Sequence, residues 1–384
     1  MHYTLHLTNE CNIACDYCYV HKGTPANMPL GTAKKVADLA DKKDPLTGIL
    51  FYGGEPTLKK DFICELVSYC QWKHQHEGIR YIFKLTTNGL LVDHDFLRFA
   101  QQHGIFITLS HDGINESHDM HRKDRSGNGT FDRLSDIADL LLETSPYTPV
   151  MLTLNPDTVD FFADSVEYLA RKKFRYIITT LNYMAPWSEN DFFKLRRQYQ
   201  LLAELYYDWT LQENKFYFSP FDEKIKTHIH GDAYCSEQCE LGKQQISVSS
   251  DGSLYPCIQF VDDPQYKIGD VWSGLDTVKR DKLYERVRNR KDECVDCALK
   301  YRCNHHCSCL NKQTTGFPEV VSPLVCAHEQ MLIPIADRLA EKLYRKKSPM
   351  FIQKHYNNAY PFVLFVDDHL PMKHGDGSSV SLKK

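Results

Sequence analysis

The sequence predicts an α/β fold in two parts, and three observations carry that prediction. From residue 1 to about 230, apolar strand-like runs alternate with helix-like stretches. A tight triplet, Cys11-x3-Cys15-x2-Cys18, directly follows the first of those runs. Nine further cysteines fall between 235 and 326, where the alternation stops.

The first run, 2–8, alternates apolar and polar side chains and so reads as a strand. Strand-like runs follow at 48–52, 80–86, 105–110, 149–155 and 175–181. Helix-like stretches lie between and after them, at 30–43, 60–76, 93–103, 131–144, 158–172 and 189–213. Strands separated by helices imply βαβ units and a parallel sheet. A partial barrel and a doubly wound open sheet share this pattern, and periodicity alone does not separate them. The triplet falls on the loop leaving a strand's C-terminal end, where α/β barrels keep their chemistry. Further on, Asp251-Gly252 reads as the turn of a hairpin between 246–249 and 253–256. An apolar-periodic helix is expected over about 329–346, then a short strand-like run at 362–366 and a disordered Gly/Ser tail. These divisions suggest parts at 1–230, 231–330 and 331–384.

Composition excludes several classes. Of 384 residues, 42% are hydrophobic and 25% charged, as in ordinary globular proteins. The net charge of −4 argues against a nucleic-acid or anionic-membrane partner. No apolar run reaches the ~20 residues that span a bilayer. The first residues enter a strand with no basic-then-apolar signal, so a cytoplasmic location is expected. Fourteen cysteines are many for such a setting, where disulfides are reduced. Their clustered spacing points to metal or redox chemistry. Cys64 and Cys70 lie apart in a helix pattern and read as small buried hydrophobes.

Three thiolates suit a cubane iron–sulfur cluster by leaving its fourth iron open. Structural zinc, the bland alternative, wants four closed ligands. Gly53-Gly54-Glu55-Pro56 follows the second strand, and Tyr17 precedes the last cysteine of the triplet. In these residues the sequence resembles the radical S-adenosylmethionine (radical SAM) enzymes. The resemblance implies a partial (β/α)6 barrel in which Cys11, Cys15 and Cys18 hold the catalytic cluster. SAM chelates the open iron and, on reduction, yields a 5′-deoxyadenosyl radical that abstracts hydrogen from substrate. Thr86-Thr87-Asn88-Gly89, Leu109-Ser110-His111-Asp112-Gly113 and His118 to Arg122 extend the likeness to peptide-modifying members. By that likeness Ser110 contacts the ribose or methionyl part of SAM, and Arg122 pairs with its carboxylate, which a guanidinium fork suits. Tyr17 is placed near the adenine and Leu181 supplies it a backbone contact. Gly54 lets backbone approach the ligand. The bland readings are a solvated loop arginine for Arg122 and a core aromatic for Tyr17.

The later cysteines run Cys235-x3-Cys239, Gly252-x4-Cys257, Cys294-x2-Cys297-x5-Cys303-x3-Cys307, and Cys326. This order closely resembles the SPASM extension of radical SAM enzymes, a small loop-rich domain binding two auxiliary iron–sulfur clusters. The resemblance implies interleaved ligands, with Cys239, Cys257, Cys307 and Cys235 on the first cluster. Cys294, Cys297, Cys303 and Cys326 hold the second. Two such clusters would staple a loop-rich segment as disulfides do. A pair of structural zinc sites is the alternative. Cys309, His305 and His306 receive no role.

The functional expectation is a radical SAM peptide maturase with three [4Fe–4S] clusters and SAM. It would abstract hydrogen from a ribosomally made peptide and form a thioether or similar crosslink. Its partners would be the precursor peptide or protein and an electron donor such as flavodoxin or ferredoxin. An alternative is the anaerobic sulfatase-maturating enzyme, which oxidises Cys or Ser to formylglycine. Those enzymes carry an aspartate base immediately after the cysteine matched by Cys257. Here that residue is Ile258, which accepts no proton, while Asp262 and Asp263 stand nearby. A non-catalytic iron–sulfur or zinc scaffold is the third reading, and it leaves the SAM-contact segments without purpose.

Overall fold

In a computed structural model that describes residues 1–20, 26–40, 46–231, 240–288 and 292–361, the alternation becomes one sheet. β1 (His2–Thr8) buries Tyr3, Leu5 and Leu7 on one face and turns Thr4, His6 and Thr8 to the other. β2 (Leu46–Gly53), β3 (Arg80–Thr87), β4 (Ile105–Ser110), β5 (Pro149–Leu154) and β6 (Tyr176–Leu181) add to it in sequence order, each parallel to its neighbour. A doubly wound sheet reverses its strand order part-way. This order does not reverse, so the architecture is the partial barrel. A two-residue strand, β7 (Tyr217–Phe218), extends the sheet past β6.

The connecting helices are α1 (Leu30–Asp38), α2 (Lys60–Glu77), α3 (His94–Gln102), α4 (Asn115–His121), α5 (Phe131–Thr144) and α6 (Phe162–Arg171). After β6 come α7 (Glu189–Leu211) and α8 (Ser219–His230). Their apolar faces close over Ile49, Phe51, Phe83, Leu85, Leu109 and Leu152 to make the main core. The opposite face of the sheet is more polar: His6 pairs in register with Tyr52, and Thr86 with Thr108. Cys70 is fully buried, as expected of a small hydrophobe, whereas Cys64 is only half-buried.

The cysteine-rich segment is built onto the same sheet. β8 (Gln245–Val248) pairs parallel with β1, and β9 (Leu254–Tyr255) returns antiparallel to β8. Gly252 turns that hairpin at φ +85°, a conformation that favours glycine. β10 (Gly269–Asp270) and β11 (Gly274–Leu275) form a small antiparallel pair, followed by α9 (Thr277–Arg288) and α10 (Ser308–Thr315).

The helix expected from about 329 begins earlier. α11 (Pro323–Arg345) starts with proline in its first turn, and the Ser322 hydroxyl accepts the Val325 N–H. Its first turns carry a proline and then the polar run His328-Glu329-Gln330, which interrupts the apolar periodicity before Met331. A further helix, α12 (Pro349–Tyr356), follows. The run at 362–366 and the tail lie outside the described residues.

α11 locks the cysteine segment to the barrel helices. Its buried Glu329 pairs with buried Lys224 of α8 at 2.6 Å, and Lys224 also donates to the Arg302 carbonyl. Removing either partner would leave a buried charge uncompensated. His328 bridges the hydroxyls of Tyr183 and Tyr199, each 2.9 Å away. Among the described residues no helix is long and apolar enough to cross a membrane.

Candidate active site at the cysteine triplet

The loop after β1 is held by its neighbours rather than by its own secondary structure. The Glu10 N–H donates to the Thr8 hydroxyl, and Ala14 N–H donates to the Lys123 carbonyl at 2.7 Å. Arg125 Nε reaches the Cys11 carbonyl at 2.8 Å. Cys11, Cys15 and Cys18 line one cavity of about 500 Å³ together with Glu10, Gly54 and Arg125. Burial pushes the Cys15 thiol up to about 11 against the opposing pull of Arg122, and burial likewise raises Cys11.

Gly53-Gly54-Glu55 packs directly on this loop. Gly54 and Glu55 N–H groups donate to the Thr8 and Glu10 carbonyls. A Cβ on Gly54 would stand 2.1 Å from the Glu10 carbonyl oxygen and within 2.9 Å of the Asn9 carbonyl carbon, all of it backbone. The glycine is therefore needed for loop-on-loop packing, beside any approach of ligand. A Gly54→Ala enzyme is expected to lose the triplet's cluster while keeping the auxiliary ones, a deficit that iron analysis per chain reads directly. The buried Glu55 carboxylate accepts from Thr57 N–H, the Thr57 and Thr87 hydroxyls, and Asn88 N–H at 2.8 Å. Burial raises its pKa. Asn88, so fixed, extends Nδ2 to Asn12 Oδ1 at 2.8 Å and to Cys11 Sγ at 3.6 Å.

On the other side lies a fully bonded carboxylate. Asp112 accepts from Arg122 Nε at 2.8 Å and Nη2 at 3.2 Å, from the Tyr17 hydroxyl at 2.6 Å, and from Thr153 N–H at 3.0 Å. Both Asp112 and Arg122 are buried. The guanidinium lies 5.4 Å from the Tyr17 ring centre, with Nη1 4.0 Å from Cys15 Sγ. Two of its three nitrogens are thus committed to Asp112, which leaves Nη1 to face the cluster loop. Tyr17 is tied into the same network and packs edge-on against His121. His121 itself joins Asp16 and Asp157, each at 2.9 Å. Ser110 ends β4 half-buried, and Leu181 ends β6 buried. Glu55, Asn88, Asp112 and His121 fall inside the segments that carry the family likeness, but spacing assigns them no role, and Arg125 lies outside those segments, because their partners come from loops that are distant in sequence.

Tyr19 and Tyr52 link the triplet to the second half. Their hydroxyls hydrogen-bond to each other, and burial is the main cause that raises both pKa values. Each hydroxyl also lies near the thiols of Cys18 and Cys257. Of the proposed first auxiliary set, Cys257 and Cys307 meet near α10, while Cys235 and Cys239 lie outside the described residues. Of the second set, Cys294 and Cys297 share a turn, and buried Cys303 sits beside Glu329 and Cys326. Gln330 Nε2 reaches Cys326 Sγ at 3.3 Å.

The donor set is of the kind iron–sulfur chemistry uses: three thiols on one wall of a cavity, with N–H groups of Asn88 and Arg122 directed at Cys11 and Cys15, and separately Gln330 directed at Cys326. Hydrogen bonds to cluster sulfurs are a principal lever on potential.

Comparison with known proteins agrees. The radical SAM superfamily matches residues 5–169, and the SPASM iron–sulfur cluster-binding domain matches 239–304. A cysteine-type anaerobic sulfatase-maturating enzyme of Clostridium perfringens is 25% identical over 331 residues, covering 78% of this chain and 86% of that one. A serine-type enzyme of Bacteroides thetaiotaomicron is 21% identical over 383 residues, covering 90% and 92%. The solved structure of anSMEcpe with bound AdoMet superposes with TM-score 0.76 at 21% identity, covering 93% of this chain and 98% of that one. Streptococcus suis SuiB bound to S-adenosylmethionine gives 0.59 at 19% identity, over 85% and 76%. With SAM and [4Fe–4S] clusters as its cofactors, the chain is a radical SAM enzyme carrying a C-terminal SPASM domain.

Proposed function

We propose that this enzyme oxidises the β-carbon of a cysteine or serine residue in a peptide or protein to formylglycine, the sulfatase-maturating reaction. The main support is the length of the relationship: the sulfatase-maturating relatives align across both halves of the chain. This displaces the peptide-crosslinking expectation as the preferred reading. SAM and the triplet's cluster, when bound, supply the hydrogen-abstracting radical. The chain holds SAM through Ser110, the Leu181 backbone and Nη1 of Arg122, the guanidinium nitrogen not bonded to Asp112, and it receives electrons from a flavodoxin- or ferredoxin-like donor.

The reaction also needs a proton acceptor, and Ile258 is not one. Asp263 is occupied, paired with Lys312 at 2.8 Å and capping Gln265. Asp262 lines a small cavity with His6, Tyr19, Val20 and Ile258, beside the cluster loop. It sits at φ +66°, a left-handed conformation that aspartate adopts more readily than most side-chain-bearing residues. Asp262 is the proton acceptor in this reading.

The test is anaerobic turnover with SAM, a reductant and peptides carrying a sulfatase-type cysteine or serine motif. 5′-Deoxyadenosine and a hydrazide-reactive aldehyde are expected together. In Asp262→Asn the aldehyde should fall on the order of 10²-fold with SAM cleavage retained, while Asp263→Asn should change little. A second reading, thioether formation, is favoured by Ile258 itself. Loss of two hydrogens from the peptide without aldehyde would replace the first reading by the second.

A further inference from the structure

His6 lies on β1 at 8% exposure, and its Nε2 is buried with no hydrogen-bond partner among the described residues. Buried polar atoms are nearly always paired, so an orphan nitrogen calls for a reason. The polar groups around it are committed to one another. The Tyr19 and Tyr52 hydroxyls pair, the Ser249 hydroxyl donates to Asp251, and the Thr8 hydroxyl accepts from the Glu10 N–H. The Tyr52 ring meets the imidazole edge-on at 5.4 Å, which packs it without bonding Nε2. Burial lowers the His6 pKa to about 4, so the ring is neutral near pH 7. A leucine would fill this strand position without burying an unpaired nitrogen.

The imidazole lines the cavity of about 70 Å³ that Asp262 also lines. Asp262 is exposed and His6 is buried, so the cavity runs inward from the surface to the orphan nitrogen. Asn9 and Val20 stand on its wall and on the wall of the triplet's cavity, so the two adjoin. Its size suits a few waters or one small side chain.

We propose that this cavity seats the side chain to be oxidised, and that His6 Nε2 hydrogen-bonds its hydroxyl and so selects serine over cysteine. The inference rests on the formylglycine reading for the identity of that residue. A hydroxyl donates and accepts, so it completes Nε2 in either tautomer, whereas a thiol does both weakly. Seating a thiol leaves the buried nitrogen unsatisfied, and sites built to bond a substrate hydroxyl discriminate by that loss. Water can occupy the cavity before substrate arrives. A serine hydroxyl reproduces the water's bond to Nε2 on displacing it, and a thiol does not. His6 positions the hydroxyl and takes no proton, which leaves that task to Asp262.

The test uses the full chain, anaerobically reconstituted and loaded with SAM. Three peptides share one sulfatase-type sequence and carry Ser, Cys or Ala at the target position. Kd is measured without reductant, so that binding is read apart from turnover. Wild type should bind the serine peptide about tenfold more tightly than the alanine peptide, and His6→Leu should bring the two within about twofold. His6→Gln, whose side-chain amide reaches the place of Nε2, should restore part of the gap, which a packing role would not produce. With reductant added, the serine-to-cysteine ratio of kcat/KM should fall about tenfold from wild type to His6→Leu. Each ratio is taken within one protein, so incomplete cluster loading cancels. Equal losses with all three peptides would assign His6 to packing and overturn the proposal. A serine–alanine gap that survives His6→Leu, or one missing from wild type, would overturn it as well. Wild type that shows the gap but forms no aldehyde would overturn the formylglycine reading and leave the hydrogen bond standing.

Discussion

Asp112→Asn is expected to abolish SAM cleavage and to destabilise the protein more than any other change around the triplet. The substitution preserves shape but replaces one accepting oxygen by an N–H₂ group facing donors. Either Arg122 Nε and the Tyr17 hydroxyl, or Arg122 Nη2 and the Thr153 N–H, then lose their acceptor. Arg122 is left as a buried cation whose other neighbour is the Cys15 thiol. Breaking a buried pair from one side costs about 3–5 kcal/mol, because the remaining charge is uncompensated. In the first orientation Tyr17, next to Cys18, is released, and in the second the bond to β5 at Thr153 is lost, so either way the cluster loop loses part of its tether to the sheet. Tyr17→Phe removes one hydrogen bond and should cost only about 1 kcal/mol. Replacing both Asp112 and Arg122 by leucine should recover most of the stability without recovering activity. Thermal midpoints, iron content and 5′-deoxyadenosine rates measure these three effects. Wild-type cleavage by Asp112→Asn would show that the network does not hold the loop.

Acidification between pH 6.5 and 4 is expected to destabilise the fold well before most carboxylates titrate. Burial lowers His6 and His355 from 6.5 to about 4, and it lowers His111 and His118 well below 6.5. His6 packs edge-on against Tyr52. His355 faces Asp222, Lys354 and Tyr206, and the positive charge of Lys354 adds to the effect of burial. A folded-state pKa below the unfolded value means that the folded chain binds fewer protons. Stability is therefore complete above pH 6.5 and declines as pH falls toward 4, by up to about 3 kcal/mol for each of His6 and His355. The urea midpoint at pH 5 should lie clearly below that at pH 7.5. A His6→Leu enzyme, compared at equal iron content, should lose part of that slope. Equal slopes in the two proteins would remove His6 from the account.

Much of this was legible in the sequence because it is local. The apolar strand-like runs of β1 through β6 and the helical stretches between them required no tertiary information. Cysteine spacing is covalent and survives any detail of folding, which is why the triplet and the second framework could be read directly. Even the hairpin at Asp251-Gly252 follows from two adjacent residues. The early start of α11 is not legible in apolar periodicity, because a capping serine and a first-turn proline carry it.

By itself, then, the sequence determined the strand–helix alternation, the two cysteine frameworks and the cofactors they imply, all of them properties of neighbours along the chain. Only the tertiary structure decided what surrounds them. Asp112 meets Tyr17 across 95 residues, Asn88 meets Cys11 across 77, and Cys309 meets Cys257 across 52. No spacing encodes such meetings, because the sheet register and the packing of α10 and α11 bring those atoms within a few ångströms. The same physics separates Asp262 from Asp263. Adjacent and chemically identical in sequence, they differ in place, Asp262 on the wall of the cavity and Asp263 against Lys312.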